Sequence, residues 1–194
     1  MSAGTYNFPT HKRGTTFSYP MTRKTSAGVA IDITGRIYRL KVKRDINDTI
    51  PVIYLSNNAA LFAVIVSAGG LSYVVGDILT VAGGTDGTVS VASVGLLGAV
   101  TGITIVTEGK NYTTGVKATT GGTGTGCTIN VTAIVHGITL TTPLSGILTL
   151  AMTAAETAAL DFDVAGYDME EELADGTVTP LLEGTFPLSR EFTD

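Results

Sequence analysis

The chain has 194 residues, of which 44% are hydrophobic and 15% charged, and its formal net charge at pH 7 is -5. A mean hydropathy of +0.33 excludes the charge-rich, apolar-poor composition of disordered proteins. Cys127 is the single cysteine, so neither an intrachain disulfide nor a multi-cysteine zinc site can form. This composition predicts a folded chain of one large or two small domains.

The first twelve residues precede the first predicted strand and contain no apolar stretch typical of a signal peptide, so we expect synthesis in the cytoplasm. They include Tyr6, Phe8 and Pro9 among polar residues and show no core-facing periodicity. We interpret this segment as an arm in which these three residues are assembly contacts. The alternative is that the arm folds back on its own domain and the chain is a monomer.

Residues 17–21, 29–33 and 36–43 are predicted to form strands, with Thr34-Gly35 as a turn. Residues 1–56 contain nine Lys or Arg and three Asp or Glu, which is a pattern found in nucleic-acid-binding proteins. However, Arg39, Lys41 and Lys43 alternate with apolar residues, as in a strand with one face in water. The acidic C-terminal part of the chain offers cross-strand partners. We therefore predict no nucleic-acid partner.

The middle of the chain contains an internal repeat. Residues 64–76 match residues 103–115 at a spacing of 39, including Tyr73 with Tyr112, and the later matches occur at spacings of 38 and 40. Each copy predicts a strand, a Gly-x-x-Tyr turn, a second strand, a double-glycine turn and a third strand. Two three-stranded copies predict a small sandwich or barrel with a pseudo-twofold axis, because one copy alone could not cover its apolar face.

Residues 89–107 contain no charge and are about as long as a membrane-spanning helix. Three glycines interrupt this stretch and several of its residues are β-branched, which favours two buried strands around a turn. We therefore predict no membrane segment.

The last part of the chain predicts strands at residues 137–142, 146–152, 166–173 and 177–188. Thr153 and Glu156 have the spacing of a capping box that opens a short helix, and Asp175-Gly176 is typical of a hairpin turn. Residues 137–194 contain eleven Asp or Glu and one Arg. The run 170–172 is interpreted as a solvated acidic face and not as a cation site.

The segments before and after the repeat, residues 1–56 and 137–194, are the two flanks of the chain. Neither flank has enough strands to bury both faces of a sandwich, whereas the two flanks together do. The predicted fold is therefore all-β: a sandwich formed by residues 1–56 and 137–194, one short helix, and an inserted repeat domain at residues 57–136.

Several segments of both flanks resemble the immunoglobulin-like β-sandwich of tailed-bacteriophage baseplate and tail-fibre-attachment proteins. These are residues 14–17, 30–35, 148–150, 153–160, 166–170 and 175–184. The repeat resembles Gly/Tyr-rich β modules of phage tail proteins at Gly70, Tyr73, Gly76-Asp77 and Gly83-Gly84. The resemblance implies a virion protein that contacts other virion proteins in a symmetric homo-oligomer. The inserted repeat departs from the usual family member and leaves open baseplate, tail, fibre-attachment, neck, collar or capsid-decoration positions.

The sequence shows no nucleophile elbow, phosphate-binding loop or zinc-protease motif, so we predict no catalytic residue, metal, cofactor or small-molecule substrate. Asp161 and Asp163 lack further oxygen ligands, and the glycine-rich loop 120–126 lacks a following lysine and helix. A carbohydrate- or receptor-binding module is the alternative function, with Tyr73 and Tyr112 as its ligand-facing candidates. A turn-packing role is the competing interpretation for these tyrosines.

Overall fold

The computed structural model describes residues 3–190, which are all-β with one short α-helix, as predicted. The elements in chain order are β1 (Gly4–Thr5), β2 (His11–Lys12), β3 (Phe17–Thr22), β4 (Ile37–Lys43), β5 (Ile53–Ser56), β6 (Leu61–Leu71), β7 (Ile78–Val81), β8 (Thr88–Val94), β9 (Val100–Thr107), β10 (Gly115–Thr120), β11 (Thr125–Ile134), β12 (His136–Thr142), β13 (Ile147–Met152), α1 (Ala154–Ala158), β14 (Val164–Glu172) and β15 (Val178–Ser189). Short 3-10 turns occupy Leu96–Gly98 and Pro143–Ser145.

The chain divides into two compact units. The first, which we call the split unit, comprises Met1–Asn57 and His136–Asp194, and the second, the repeat unit, comprises Asn58–Val135. These divisions lie within one residue of the domain boundaries proposed from the sequence.

The described part of the split unit contains nine strands in one sheet, ordered β1-β15-β14-β4-β5-β12-β13-β3, with β2 also paired to β15. The connection between β5 and β12 is short, because these two strands share a parallel ladder of only two residue pairs. Phe17 of β3 nevertheless packs on Phe186 of β15, with ring centroids 5.3 Å apart. The two ends of the sheet therefore face each other across one core, as the layers of a sandwich do.

Apart from the short strands β1 and β2 of the N-terminal arm, two features of the split unit differ from the sequence prediction. Residues 29–33 form no strand and make only an isolated bridge between Lys24 and Ala30. Tight turns on both sides shorten this stretch: the Gly28 N–H donates to the Thr25 carbonyl, and the Asp32 side chain accepts from the Thr34 N–H. Conversely, the four residues of β5 form an unpredicted strand between β4 and β12.

The helix α1 begins as predicted. Thr153 accepts a hydrogen bond from the Glu156 N–H, and the Glu156 carboxylate accepts one from the Thr153 N–H. This reciprocal pair satisfies two backbone donors that the first helical turn leaves open.

The repeat unit forms one six-stranded sheet, ordered β6-β11-β10-β7-β8-β9. Its end strands β6 and β9 pack side by side, so the sheet curls into a nearly closed barrel. The first repeat copy comprises β6, β7 and β8, and the second comprises β9, β10 and β11. If each strand is replaced by its counterpart in the other copy, the same strand order is obtained, read from the opposite end. The arrangement therefore has the expected pseudo-twofold relation. The first strand of each copy is exchanged: β6 pairs with the last strand of the second copy and β9 with the last strand of the first. Neither copy is therefore a complete sheet alone.

The split unit is expected to fold after the repeat unit is removed. The ladder pairs Leu55 with His136 and Ser56 with Gly137, so the two ends left by excising residues 58–135 lie on neighbouring strands. A Gly/Ser linker of about four residues spans such a gap. We expect a soluble, β-rich protein with cooperative thermal unfolding by circular dichroism. A shortened chain without cooperative unfolding would show that the split unit needs the insertion to fold.

Candidate interaction surfaces

Tyr73 and Tyr112 occupy equivalent positions of the two repeat copies and are 3% and 1% exposed. The Tyr112 hydroxyl donates to the Val81 carbonyl at 2.8 Å and accepts from the Gly87 N–H at 3.1 Å. The Tyr73 hydroxyl accepts from the Cys127 N–H at 3.3 Å. The hydroxyl of each tyrosine thus hydrogen-bonds to backbone groups of the other repeat copy.

Glycines leave the space that these rings fill. A Cβ atom at Gly84 would lie 2.5 Å from the Tyr112 ring, and one at Gly124 would lie 2.5 Å from the Tyr73 ring. The ligand-facing interpretation of Tyr73 and Tyr112 is therefore corrected, because both rings are enclosed by their own fold. The packing interpretation agrees with the structure.

The N-terminal arm lies along β15. The Tyr6 N–H donates to the Glu183 carbonyl at 2.9 Å, and the Phe8 N–H donates to the Thr185 carbonyl at 3.0 Å. Phe8 is 3% exposed, and its ring lies 4.9 Å from that of Tyr167 and 5.3 Å from that of Phe186, measured between centroids.

This placement corrects the assignment of the arm as a set of assembly contacts. Phe8 is a core residue, and Tyr6 is partly buried, with its hydroxyl hydrogen-bonded to that of Tyr19 on β3. Of the three proposed contacts only Pro9 is exposed. Tyr6 and Phe8 share the spacing of two that places strand residues on one face. The arm therefore closes the core between the two ends of the split-unit sheet.

Glu171 is buried at 2% exposure, which corrects the interpretation of residues 170–172 as a solvated face. Its carboxylate accepts from Arg36 at 2.8 Å, from Arg23 at 3.1 Å and from the Tyr38 hydroxyl at 2.5 Å. Glu170 and Glu172 lie on the other face and pair with Arg39. The sequence signal for Glu171 was available, because alternation along β14 places it on the same face as the buried Tyr167 and Met169.

The electrostatics of this cluster favour the ionised carboxylate. Burial by itself would raise the pKa of Glu171, but hydrogen bonds from Tyr38 and Arg36 and the charge of Arg23 outweigh it and hold the pKa below its ordinary value. Burial, together with the neighbouring carboxylate, raises the pKa of Tyr38 far above its ordinary value. The cluster ties β4 and β14 to the irregular segment between β3 and β4.

The polar residues considered for catalysis or metal binding are dispersed. Asp161 pairs with Arg44, Asp163 with Arg13, and His136 with Glu156 at 3.1 Å. Among residues 3–190 no group of three or more His, Cys, Asp or Glu side chains could hold a metal ion. No helix in this part of the chain is long and apolar enough to cross a membrane.

One end of the repeat unit, which we call the apolar end, exposes large hydrophobic side chains. The turn after β6 meets the turn between β8 and β9 there, because the Ser72 N–H donates to the Leu97 carbonyl at 2.8 Å. The exposed fractions are 53% for Leu71, 52% for Val74, 62% for Val75, 92% for Leu96 and 81% for Leu97. The chain enters and leaves the repeat unit at the opposite end, where the Val135 N–H donates a hydrogen bond to the Ala60 carbonyl. An eleven-residue strand such as β6 puts about 33 Å between the two ends.

The backbone of the apolar end is unusual as well. Leu97 has a φ of 55°, a left-handed conformation that residues with a branched apolar side chain seldom adopt. Sequence reasoning identified this segment only as a glycine-rich turn. The adjacent pair Leu96-Leu97 between two glycines was the available signal that apolar residues occupy a turn.

A groove lies on the split unit. It encloses about 480 Å³ and is lined by residues of β1, β14 and β15, by the end of β4 and by the loop that follows it. Gly166, Asp168, Glu183 and Thr185 are exposed residues of its lining.

Comparisons with family models, with curated proteins and with solved structures found no match to this chain. The resemblance to tailed-phage proteins therefore rests on the sequence segments alone and stays a prediction.

Proposed function

We propose that this protein is a non-enzymatic structural subunit of a tailed-phage virion, in the tail, baseplate or fibre-attachment region, acting through protein-protein interfaces. The observation that supports this function is the apolar end of the repeat unit. Exposed apolar patches of several hundred Å² are uncommon on monomers and mark association sites. Five large side chains that are each more than half exposed make such a patch.

The partner that fits the apolar end best is a second copy of the same surface. The repeat unit contains only five charged residues: Asp77, Asp86, Glu108, Lys110 and Lys117. Asp77, the charged residue closest to the patch in sequence, already accepts hydrogen bonds from the Val74 and Thr123 N–H groups. The five side chains of the patch are themselves uncharged, so the patch is complementary to another uncharged apolar surface. Closed symmetry brings identical patches together.

Replacing both Leu96 and Leu97 by aspartate is expected to break this association. Four like charges would meet in a dimeric contact, and we expect the concentration for half-dissociation to rise at least about 100-fold. Aspartate adopts the left-handed conformation required at position 97 more readily than leucine does, so the turn should persist. Light scattering coupled to size-exclusion chromatography measures the oligomeric state.

The matched control is Leu144→Asp, which places one charge at a residue that is 75% exposed in the split unit. This variant should keep the wild-type oligomeric state. A wild-type chain that stays monomeric at high micromolar concentration would contradict self-association. So would a double variant that assembles as well as the wild type.

The virion assignment is tested separately. Purified phage particles from cells that contain the gene should include this chain at a fixed copy number by quantitative mass spectrometry. Its absence from purified particles, with normal expression in the same cells, would contradict a structural role in the virion.

A further inference from the structure

Gly166 is one of the residues that line the groove on the split unit, and the backbone does not require a glycine there. A Cβ atom at this position would meet only the Lys43 carbonyl oxygen, at 3.9 Å, which is an ordinary contact. Gly166 is not among the residues with positive φ. The only register irregularity between β14 and β15 lies further along, between Met169 and Glu170. Neither strain nor close packing therefore explains the residue.

A glycine inside a strand weakens it, because it loses more backbone freedom and contributes no side-chain packing. Such glycines often mark positions where a ligand approaches the backbone closely. Gly184, also in the groove lining, differs in kind, because its Cβ atom would collide with the backbone of Tyr6. Of the two glycines in the groove lining, Gly166 is the one at which the fold leaves room for a side chain.

The groove lining around Gly166 includes an ammonium group and two carboxylates. Lys43 and Thr185 are its partners on the two neighbouring strands, and Asp168 lies directly opposite Glu183 of β15 and Lys41 of β4. Within residues 3–190 the side chains of Lys43, Asp168 and Glu183 make no hydrogen bond or ion pair. Arg44, in contrast, is occupied by Asp161.

We infer that this groove is a binding site for one or two sugar units of a neutral saccharide. Each hydroxyl of such a ligand both donates and accepts, so it matches carboxylates and an ammonium group presented together. The CH groups of a pyranose ring can contact the exposed backbone at Gly166 and the side chain of Ile46, an 89% exposed apolar residue of the lining. The volume of about 480 Å³ lies within the range of small-molecule sites. This inference does not depend on the assembly role proposed above.

The test uses the full chain labelled with ¹⁵N and titrated with maltotriose, chitotriose or isomaltotriose. We expect at least one of these saccharides to shift the amide signals of Gly166, Asp168 and Thr185. Gly166→Val should abolish the shifts, because the new side chain takes up space at the lining of the groove. Valine suits a strand, so this variant should unfold at the same or a higher temperature than the wild type. Loss of binding would then not reflect loss of fold.

The control Thr139→Val adds the same side chain at an exposed position of β12 and should bind as the wild type does. If none of the three saccharides shifts these amides, the inference is wrong. The same holds if Gly166→Val binds equally well. Shifts produced by spermidine or glutarate, but by no saccharide, would overturn the assignment to a neutral sugar.

Discussion

Replacing Glu171 by alanine should lower the unfolding free energy of the split unit by about 3–5 kcal/mol. The carboxylate is buried and accepts hydrogen bonds from Arg23, Arg36 and Tyr38. Without it, two partly buried guanidinium groups repel each other and the Tyr38 hydroxyl is left inside the core with no acceptor. Hydrogen exchange of the full chain, measured on peptides from β4 and β14, reports the loss for this unit alone.

Glu170→Ala is the matched control, since it removes the preceding carboxylate on the opposite face of the same strand. The ion pair between Glu170 and Arg39 is partly exposed, so we expect the unfolding free energy to fall by less than about 1 kcal/mol. Similar losses for the two variants would mean that the buried cluster contributes little to stability.

The same carboxylate predicts sensitivity to acid. The pKa of Glu171 in the folded protein lies below its ordinary value of 4.5, so the unfolded chain binds this proton more tightly. The stabilisation from this group is complete at neutral pH and is lost as the pH falls below 4.5 and through the folded pKa. Glu171→Gln should therefore show a shallower fall of stability with acid than the wild type does.

The strands were predictable wherever the sequence shows both the alternation of apolar and polar residues and the turns on either side. Tyr38, Leu40 and Val42 alternate with charged residues in β4, and the double-glycine turns separate the strands of both repeat copies. Residues 29–33 show the limit of this reasoning. Their β-branched residues favour a strand, but Ile33 donates its N–H to the Pro143 carbonyl instead of joining a ladder. Long-range pairing overrides local preference at such positions.

The interaction surfaces were less accessible from the sequence, because they depend on contacts between distant residues. Glu171 could have been assigned to the core by counting positions from Tyr167, yet its partners lie well over a hundred residues earlier in the chain. Gly166 could not be told apart from the structurally required glycines. Only the structure shows that its Cβ position is open, whereas that of Gly184 is blocked.

Replacing Phe8 by alanine should lower the unfolding free energy by about 3–5 kcal/mol, as expected for truncation of a large buried aromatic side chain. The Phe8 ring has four aromatic neighbours besides Tyr6, namely Phe17, Tyr19, Tyr167 and Phe186. These rings come from both ends of the split-unit sheet, so the cavity would open where β3 faces β15. The control Pro9→Ala changes an exposed neighbour and should alter stability by less than about 0.5 kcal/mol.

Removal of residues 1–12 should be more damaging than Phe8→Ala, because it also removes β1 and β2. That truncation uncovers backbone groups of β15 that now pair with the arm, including the carbonyls of Glu183 and Thr185. An arm that served only as an assembly contact would give the opposite pattern, with normal thermal unfolding of the truncated chain and loss of association alone. Thermal unfolding and light scattering on the same truncated sample separate the two cases. Unchanged stability after truncation would show that the arm does not close the core in solution.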